Sequence, residues 1–270
     1  VHIDYFSGVG TFAKDYQLEN LFKYLEEQFG CTGVREDFPK TIGCYKFRNR
    51  WFTSAGITVC YVYESWNSQY RYHLNITGTP LSSIDVYKSL VILRHLKKQG
   101  LSCTRIDIAV DDYARRMPIE YFKSALDRGD YSGFINYDYR TYSRTKTKTD
   151  TVYCGSSKKM LRIYDANHKH EIDAIRLEGQ YREDHAKCIF ESLQPVEEFP
   201  GGIWSLDPQQ DIFMEQNISS SLANIVASSF DFIRKKSKNL DRNHRLLWWA
   251  EFISQIGKGK ISLLQISLIK

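Results

Sequence analysis

Two periodicities alternate along the chain. Residues His2–Phe6 read as a first strand, with a turn at Gly8 and Gly10 behind it. From Ala13 to Phe29 the apolar residues Leu18, Leu21, Phe22 and Leu25 recur at helical intervals, which predicts a helix closed by Gly30. Three strands are predicted next, over Tyr45–Thr53, Gly56–Glu64 and Arg71–Thr77. In the last, Tyr72, Leu74 and Ile76 alternate with Arg71, His73 and Asn75. Ser82 or Ser83 is placed to cap a helix over Ile84–Gln99, and Gly100 ends it.

The pattern then recurs. Thr104–Asp111 reads as a strand, Pro118 opens a helix to Asp127, and Tyr131–Tyr142 is extended. Thr151–Gly155 and Met160–Tyr164 form a hairpin around Ser156–Lys159. Ala174–Arg182 is a further strand and Asp184–Leu193 a helix. Beyond these, Ser220–Lys236 and Arg242–Ile256 read as helical. The sequence therefore divides into two strand–helix–strands blocks over residues 1–204 and a basic helical region over 205–270. Runs of adjacent strands joined by short turns predict an α+β fold on an antiparallel sheet, not a doubly wound parallel one.

Composition narrows the class. With 42% hydrophobic residues among 270, the chain has material for a sizeable core, which excludes a disordered or collagen-like protein. No apolar run approaches the ~20 residues of a membrane span, and no secretory signal pattern stands at the start, so a soluble cytoplasmic protein is expected. Six cysteines are spread widely with no metal-type spacing, which suits reduced, mostly buried thiols rather than a disulfide scaffold or a zinc site. The net charge, 37 − 32 = +5, is mild, so clustering matters more than the total. Neither a G-x-x-x-x-G-K-[ST] element nor a complete dinucleotide fingerprint is present, so ATP- or NAD-driven chemistry is not indicated.

Three strands carry polar groups where a sheet interior should be apolar. In Arg105-Ile106-Asp107-Ile108-Ala109-Val110-Asp111-Asp112, period-2 geometry puts Arg105, Asp107 and Asp111 on one face. Asp107 and Asp111 would stand about 13–14 Å apart, too far to share one ion. In the second strand Arg176, Glu178, Gln180 and Arg182 share a face, a row suited to a phosphate and a hard cation; a solvated charge ladder has the same pattern. The third strand sets Arg162 beside Tyr164, behind a small-residue turn carrying Lys158 and Lys159. Arg140, Arg144, Lys146 and Lys148 read as a basic loop suited to a phosphate backbone or to plain solvation. His168 and His170 flank Lys169, and no H-E-x-x-H helix is present.

The order of "IDYFSG", "YHLNITG", "RIDIAVDD", "YCGSSKKMLRIYD" and "RLEGQYR" resembles the Rep_trans family, over about residues 3–190. That family comprises replication initiators of rolling-circle plasmids and filamentous phages, with relaxases of some integrative elements. The resemblance implies a curved antiparallel sheet with packed helices. It also implies an origin-specific, metal-dependent DNA nickase with Tyr164 as nucleophile and Asp107 and Glu178 as ligands of Mg²⁺ or Mn²⁺. Arg105, Arg162 and Arg176 fall on the family's basic positions; Arg182, Lys158 and Lys159 join them as candidate DNA-phosphate contacts. Asp111, Asp112, Asp4 and Glu64 are candidates for a third ligand. Ala166 stands where the family has a lysine, with Lys169 three residues later.

The implied partners are an origin hairpin, unpaired at the nick, the host replication helicase and polymerase, and a second copy of the chain. The basic region carrying Arg234, Lys235, Lys236, Lys238, Arg242 and Arg245 is a candidate duplex-binding element, with Trp248 and Trp249 as packing. The competing readings are an integrative-element relaxase, a nucleotidyltransferase palm indifferent to Tyr164, and a non-enzymatic DNA-binding regulator.

Overall fold

The computed structural model of the chain describes residues 1–144, 147–167, 172–193, 208–234 and 244–256. In chain order the elements begin with β1 (His2–Phe12), α1 (Asp15–Phe29), β2 (Gly33–Ile42), β3 (Tyr45–Thr53), β4 (Ile57–Glu64) and β5 (Gln69–Ile76). Next come α2 (Gly78–Ser82), α3 (Val86–Lys98), β6 (Ser102–Asp112), α4 (Ile119–Asp127), β7 (Tyr137–Arg144), β8 (Thr147–Gly155), β9 (Lys159–Asp165) and β10 (Ile175–Arg182). The last are α5 (Glu183–Ser192), α6 (Pro208–Ser229), β11 (Ile233–Arg234), β12 (His244–Arg245) and α7 (Leu247–Ile256).

Two compact units form. The first takes Ile3–Ile106 and Arg182–Gly202; the second takes Val1–His2, Asp107–Tyr181 and Ile203–Lys270. Strands neighbour one another in the order β2-β3-β4-β5-β1-β6 in the first unit and β6-β10-β9-β8-β7 in the second. Counted from β1 and from β6, the two blocks thus share one order: second, third, fourth, fifth, first. The pairs β2–β3, β3–β4, β4–β5 and β1–β5 are antiparallel, as are β7–β8, β8–β9 and β9–β10. The expected α+β class on an antiparallel sheet is therefore what the chain adopts.

In the first unit the predicted stripe of α1 is buried, Phe22 stacks on Trp51 at 5.1 Å between ring centroids, and Gly30 closes the helix in the left-handed region. In the second, Phe122 of α4 meets Phe232, Trp248 and Trp249 edge-on at 5.1, 4.9 and 6.3 Å. Phe232, Trp248 and Trp249 thus share a core with α4, and the two tryptophans pack as expected.

Several boundaries differ from the sequence reading. Gly8 and Gly10 lie inside β1, not in a turn. A Cβ on Gly8 would stand 2.8 Å from Leu101, and one on Gly10 2.5 Å from the Tyr72 ring, so these glycines serve close approach. β2 has no apolar alternation and went unpredicted because it is the mostly exposed outer strand of its unit, with an irregularity between Asp37 and Lys40 around Pro39. Asp85, not Ser82 or Ser83, caps α3, its Oδ1 accepting from the Lys88 N–H at 2.6 Å.

The expected basic loop is largely β-hairpin, Arg144 closing β7 opposite Thr147 of β8; Lys146 falls outside the described residues. The extended stretch begins at Tyr137 rather than Tyr131. The helix expected over Ser220–Lys236 ends at Ser229, because Phe230 and Phe232 turn fully into the core. Lys235, Lys236, Lys238 and Arg242 lie outside the described residues, as do Lys169 and its flanking histidines. All six cysteines are free, and Cys60, Cys103 and Cys154 are buried.

Candidate active site

The site lies wholly in the second unit and grows from three strands. Alternation along β10 sends Arg176, Glu178 and Gln180 to one face, and all three are buried, as is Asp107 of β6. This excludes a solvated charge ladder, since burying such groups is costly unless they are paired. Antiparallel register sets Glu178 opposite Arg162 and Arg176 opposite Tyr164. Tyr164 therefore stands diagonal to Glu178, within reach of a long side chain.

Glu178 is the hub. Its Oε1 accepts from the Arg162 guanidinium and from Gln180 Nε2 at 2.9 Å; its Oε2 accepts from the Tyr164 hydroxyl at 3.0 Å. Gln180 Nε2 also donates to Asp107 Oδ2 at 3.2 Å. One amide nitrogen thus bridges both carboxylates. Arg162 lies over the Tyr164 ring at 5.7 Å, and its buried Nε finds no hydrogen-bond partner. Burial pulls the Arg162 pKa down, but the charge and hydrogen bond of Glu178, with smaller contributions from Tyr164 and Asp107, outweigh it and leave the pKa raised. Arg162 is a permanent cation beside the tyrosine.

Arg176 is oriented differently from the phosphate fork expected of it. Its Nε and Nη2 donate to Asp111 Oδ1 and Oδ2 at 2.6 and 3.1 Å, a bidentate pair buried on both sides. His2 Nδ1 lies 3.7 Å from the same carboxylate. Lys159 is likewise engaged, its Nζ donating to the carbonyls of Gly133 and Ser229 at 3.0 and 3.4 Å. Lys158 is exposed in the β8–β9 turn. Arg105 and Arg182 belong to the first unit, Arg105 stacked over Tyr5 at 4.2 Å and Arg182 half-buried at the start of α5.

Among the described residues no group of three or more His, Cys, Asp or Glu side chains is arranged to hold a metal ion. Of the candidate third ligands, Asp111 is clamped by Arg176 and Asp112 Oδ2 accepts from the Met117 N–H at 2.9 Å. Glu64 accepts from Arg71 at 2.6 and 3.1 Å, and Asp4 packs against Gly78, both in the first unit. What converges is a pair of buried hard-oxygen donors, Asp107 and Glu178. That pair fits Mg²⁺ or Mn²⁺ of the kind held by one or two carboxylates, with water and substrate phosphate completing the shell.

Sequence reasoning missed Gln180 as the bridge and Arg115 as an anchor. Arg115 pairs with Asp165, the residue after Tyr164, and with Asp173 at 2.7 Å. Gln180 stood in the polar row of β10, but only the strand register shows what it touches.

No protein-family model matches the chain, and no curated protein matches it. Among solved structures, the rolling circle replication initiator protein from Geobacillus stearothermophilus is similar, with a TM-score of 0.67 over 95% of this chain and 96% of that one. The chain has the fold of a rolling-circle replication initiator. Identity is 18%, so the likeness lies in the backbone. On this initiator fold the Tyr164–Glu178–Arg162 network rests on the chain's own geometry.

Proposed function

We propose that the chain initiates replication by nicking one DNA strand at an origin through Tyr164. The observation that carries this reading is the Tyr164 hydroxyl held 3.0 Å from the buried Glu178 carboxylate, with a fixed arginine beside its ring. A phenol of ordinary pKa ~10 attacks poorly. Glu178 Oε2 already accepts its hydrogen bond and is the nearest acceptor for the proton, while the Arg162 cation favours the phenolate. The tyrosine oxygen would attack the scissile phosphorus in line, forming the O–P bond of a 5′-phosphotyrosine as the P–O3′ bond breaks. The departing oxygen takes a proton and leaves as a 3′-OH for the host polymerase. Asp107 and Glu178 would hold Mg²⁺ or Mn²⁺, which when bound supplies charge stabilisation at a phosphate oxygen. The covalent link conserves the phosphodiester energy, so rejoining needs no ATP, in keeping with the absence of a nucleotide loop in the sequence.

A tyrosine this buried reaches a strand only where the DNA is unpaired, which points to an origin hairpin. Arg162, beside the Tyr164 ring, is the charged group of the site best placed to act on phosphate. The basic region after residue 205 is proposed as the duplex contact, with host helicase and a second copy of the chain as partners in the cytoplasm. No described helix is long and apolar enough to cross a membrane.

The test is nicking of a supercoiled plasmid bearing the element's own origin, with Mg²⁺ or Mn²⁺. The wild-type chain is expected to give open circles carrying protein at the 5′ end, and Tyr164→Phe none. Equal nicking by the variant would overturn the assignment.

A further inference from the structure

The three strands of the site are not all neighbours. β10, which carries Glu178, lies between β6, which carries Asp107, and β9, which carries Tyr164. Backbone pairing joins β9 to β10, but β6 and β9 share no edge. One side chain spans that distance. Arg115 stands in the turn after β6, and Asp165 is the last residue of β9. Arg115 Nη2 donates to Asp165 Oδ2, and its Nη1 donates to Asp165 Oδ1 at 3.4 Å and to Asp173 Oδ1 at 2.7 Å. Asp173 lies two residues before β10. A single guanidinium thus links the end of β6 to the end of β9 and to the approach to β10.

The residue type at this turn is informative. Arg115 has a φ of 49°, in the left-handed region. Its N–H donates to the Asp112 carbonyl at 3.1 Å, and Asp112 Oδ2 accepts from the Met117 N–H at 2.9 Å. A turn needing only that φ takes glycine without steric cost, whereas a residue with a Cβ is strained there. What an arginine adds is its side chain, and strain of this kind gathers near working sites. The pairing of Asp165 with Ile175 is the last rung of the β9–β10 ladder, and Tyr164 with Arg176 is the rung before it. Terminal rungs open most easily unless something ties them. Asp165 is tied twice, by Arg115 and by the Asn167 N–H, which donates to its Oδ1 at 3.0 Å. Alternation sends the Asp165 side chain to the face opposite Tyr164, so Arg115 acts through the strand and not on the reacting groups.

We propose that Arg115 is a positioning residue for strand nicking. It straps together the ends of the strands that carry Asp107, Glu178 and Tyr164, and so keeps the Tyr164 hydroxyl on Glu178. The inference rests on the reading of Tyr164 as the nucleophile.

The test measures nicking of a supercoiled plasmid bearing the element's own origin, with Mn²⁺ and protein in excess. First-turnover rate, affinity for an origin fragment and melting curve are read for wild type, Arg115→Gly, Arg115→Lys, Asp165→Asn and Tyr164→Phe. Arg115→Gly removes the strap while suiting the backbone, so it is expected to melt like wild type. Its affinity is expected within about twofold of wild type, and its rate about tenfold to a hundredfold lower, because a displaced nucleophile slows chemistry. Arg115→Lys, which lacks the fork, is expected to fall between the two. Asp165→Asn is expected to slow nicking as well, and the Arg115→Gly/Asp165→Asn pair to be no slower than Arg115→Gly alone.

A wild-type rate in Arg115→Gly, with Tyr164→Phe inactive, refutes the strap and leaves the nicking reading standing. Equal losses of rate and affinity would make Arg115 a DNA contact and overturn the proposal, as would independent, multiplying losses in the paired variant. Should Arg115→Gly melt early, Arg115→Lys decides, and a wild-type rate in it refutes the strap. If Tyr164→Phe nicks like wild type, or the wild type does not nick, the reading of the site falls and the strap falls with it.

Discussion

At the scale of single residues, what separates the charge proposed for catalysis from structural charge is the partner. Glu178 and Asp111 are both fully buried carboxylates on the same unit's strands, each bonded to an arginine. Glu178 shares its oxygens among Arg162, Gln180 and Tyr164, so its charge bears on the proposed nucleophile. Asp111 faces Arg176 with both oxygens, so its charge serves the fold. Asp111→Ala would strand a buried guanidinium, and a loss of about 3–5 kcal/mol in denaturant unfolding is expected. If the loss is under about 1 kcal/mol, Arg176 has another anchor and the structural role assigned here is wrong.

At the scale of elements, close approach explains where local rules failed. Gly10 reads as a turn residue in sequence, yet it lets the Tyr72 ring lie flat against β1, where that ring also stacks on Phe12 at 4.7 Å. Gly10→Ala puts a methyl into a rigid buried ring, and a destabilisation of about 1–3 kcal/mol is expected in thermal or denaturant melts. An unchanged melting curve would mean that β1 and β5 slide apart freely there. β2 failed for the opposite reason. With one side largely open to solvent it needs no apolar alternation, and its strand character comes from pairing with β3.

At the scale of the whole molecule, stability should depend on pH through His73. Its folded pKa of about 4 lies below the ordinary 6.5, because burial and Lys40 disfavour the charged ring. The unfolded chain then binds the proton first, so stability is full above pH ~6.5 and declines as pH falls toward 4. The loss attributable to this one group is up to about 3 kcal/mol. Urea unfolding at pH 7 and pH 4.5 should show it, and His73→Gln should reduce the difference between the two. A variant with the wild-type pH dependence would assign the effect elsewhere.

Element type and class were legible along the chain, because the α1 stripe, the Gly30 stop and the alternation of β6 and β10 are local patterns that bury the same faces in any tertiary setting. The polar residues of the candidate site were legible for the same reason: Asp107, Glu178 and the arginines are polar at positions whose neighbours are apolar, whereas Tyr164 stood out only through the family resemblance. What each one touches was not. Arg162 and Arg176 are equivalent in sequence, each an arginine on an alternating strand, and only the register of β9 on β10 gives one to Glu178, with the course of β6 giving the other to Asp111. Spacing along a strand is set by the covalent backbone and can be read directly. Pairing between strands is set by which faces must be buried together, and that is decided only once the chain has folded.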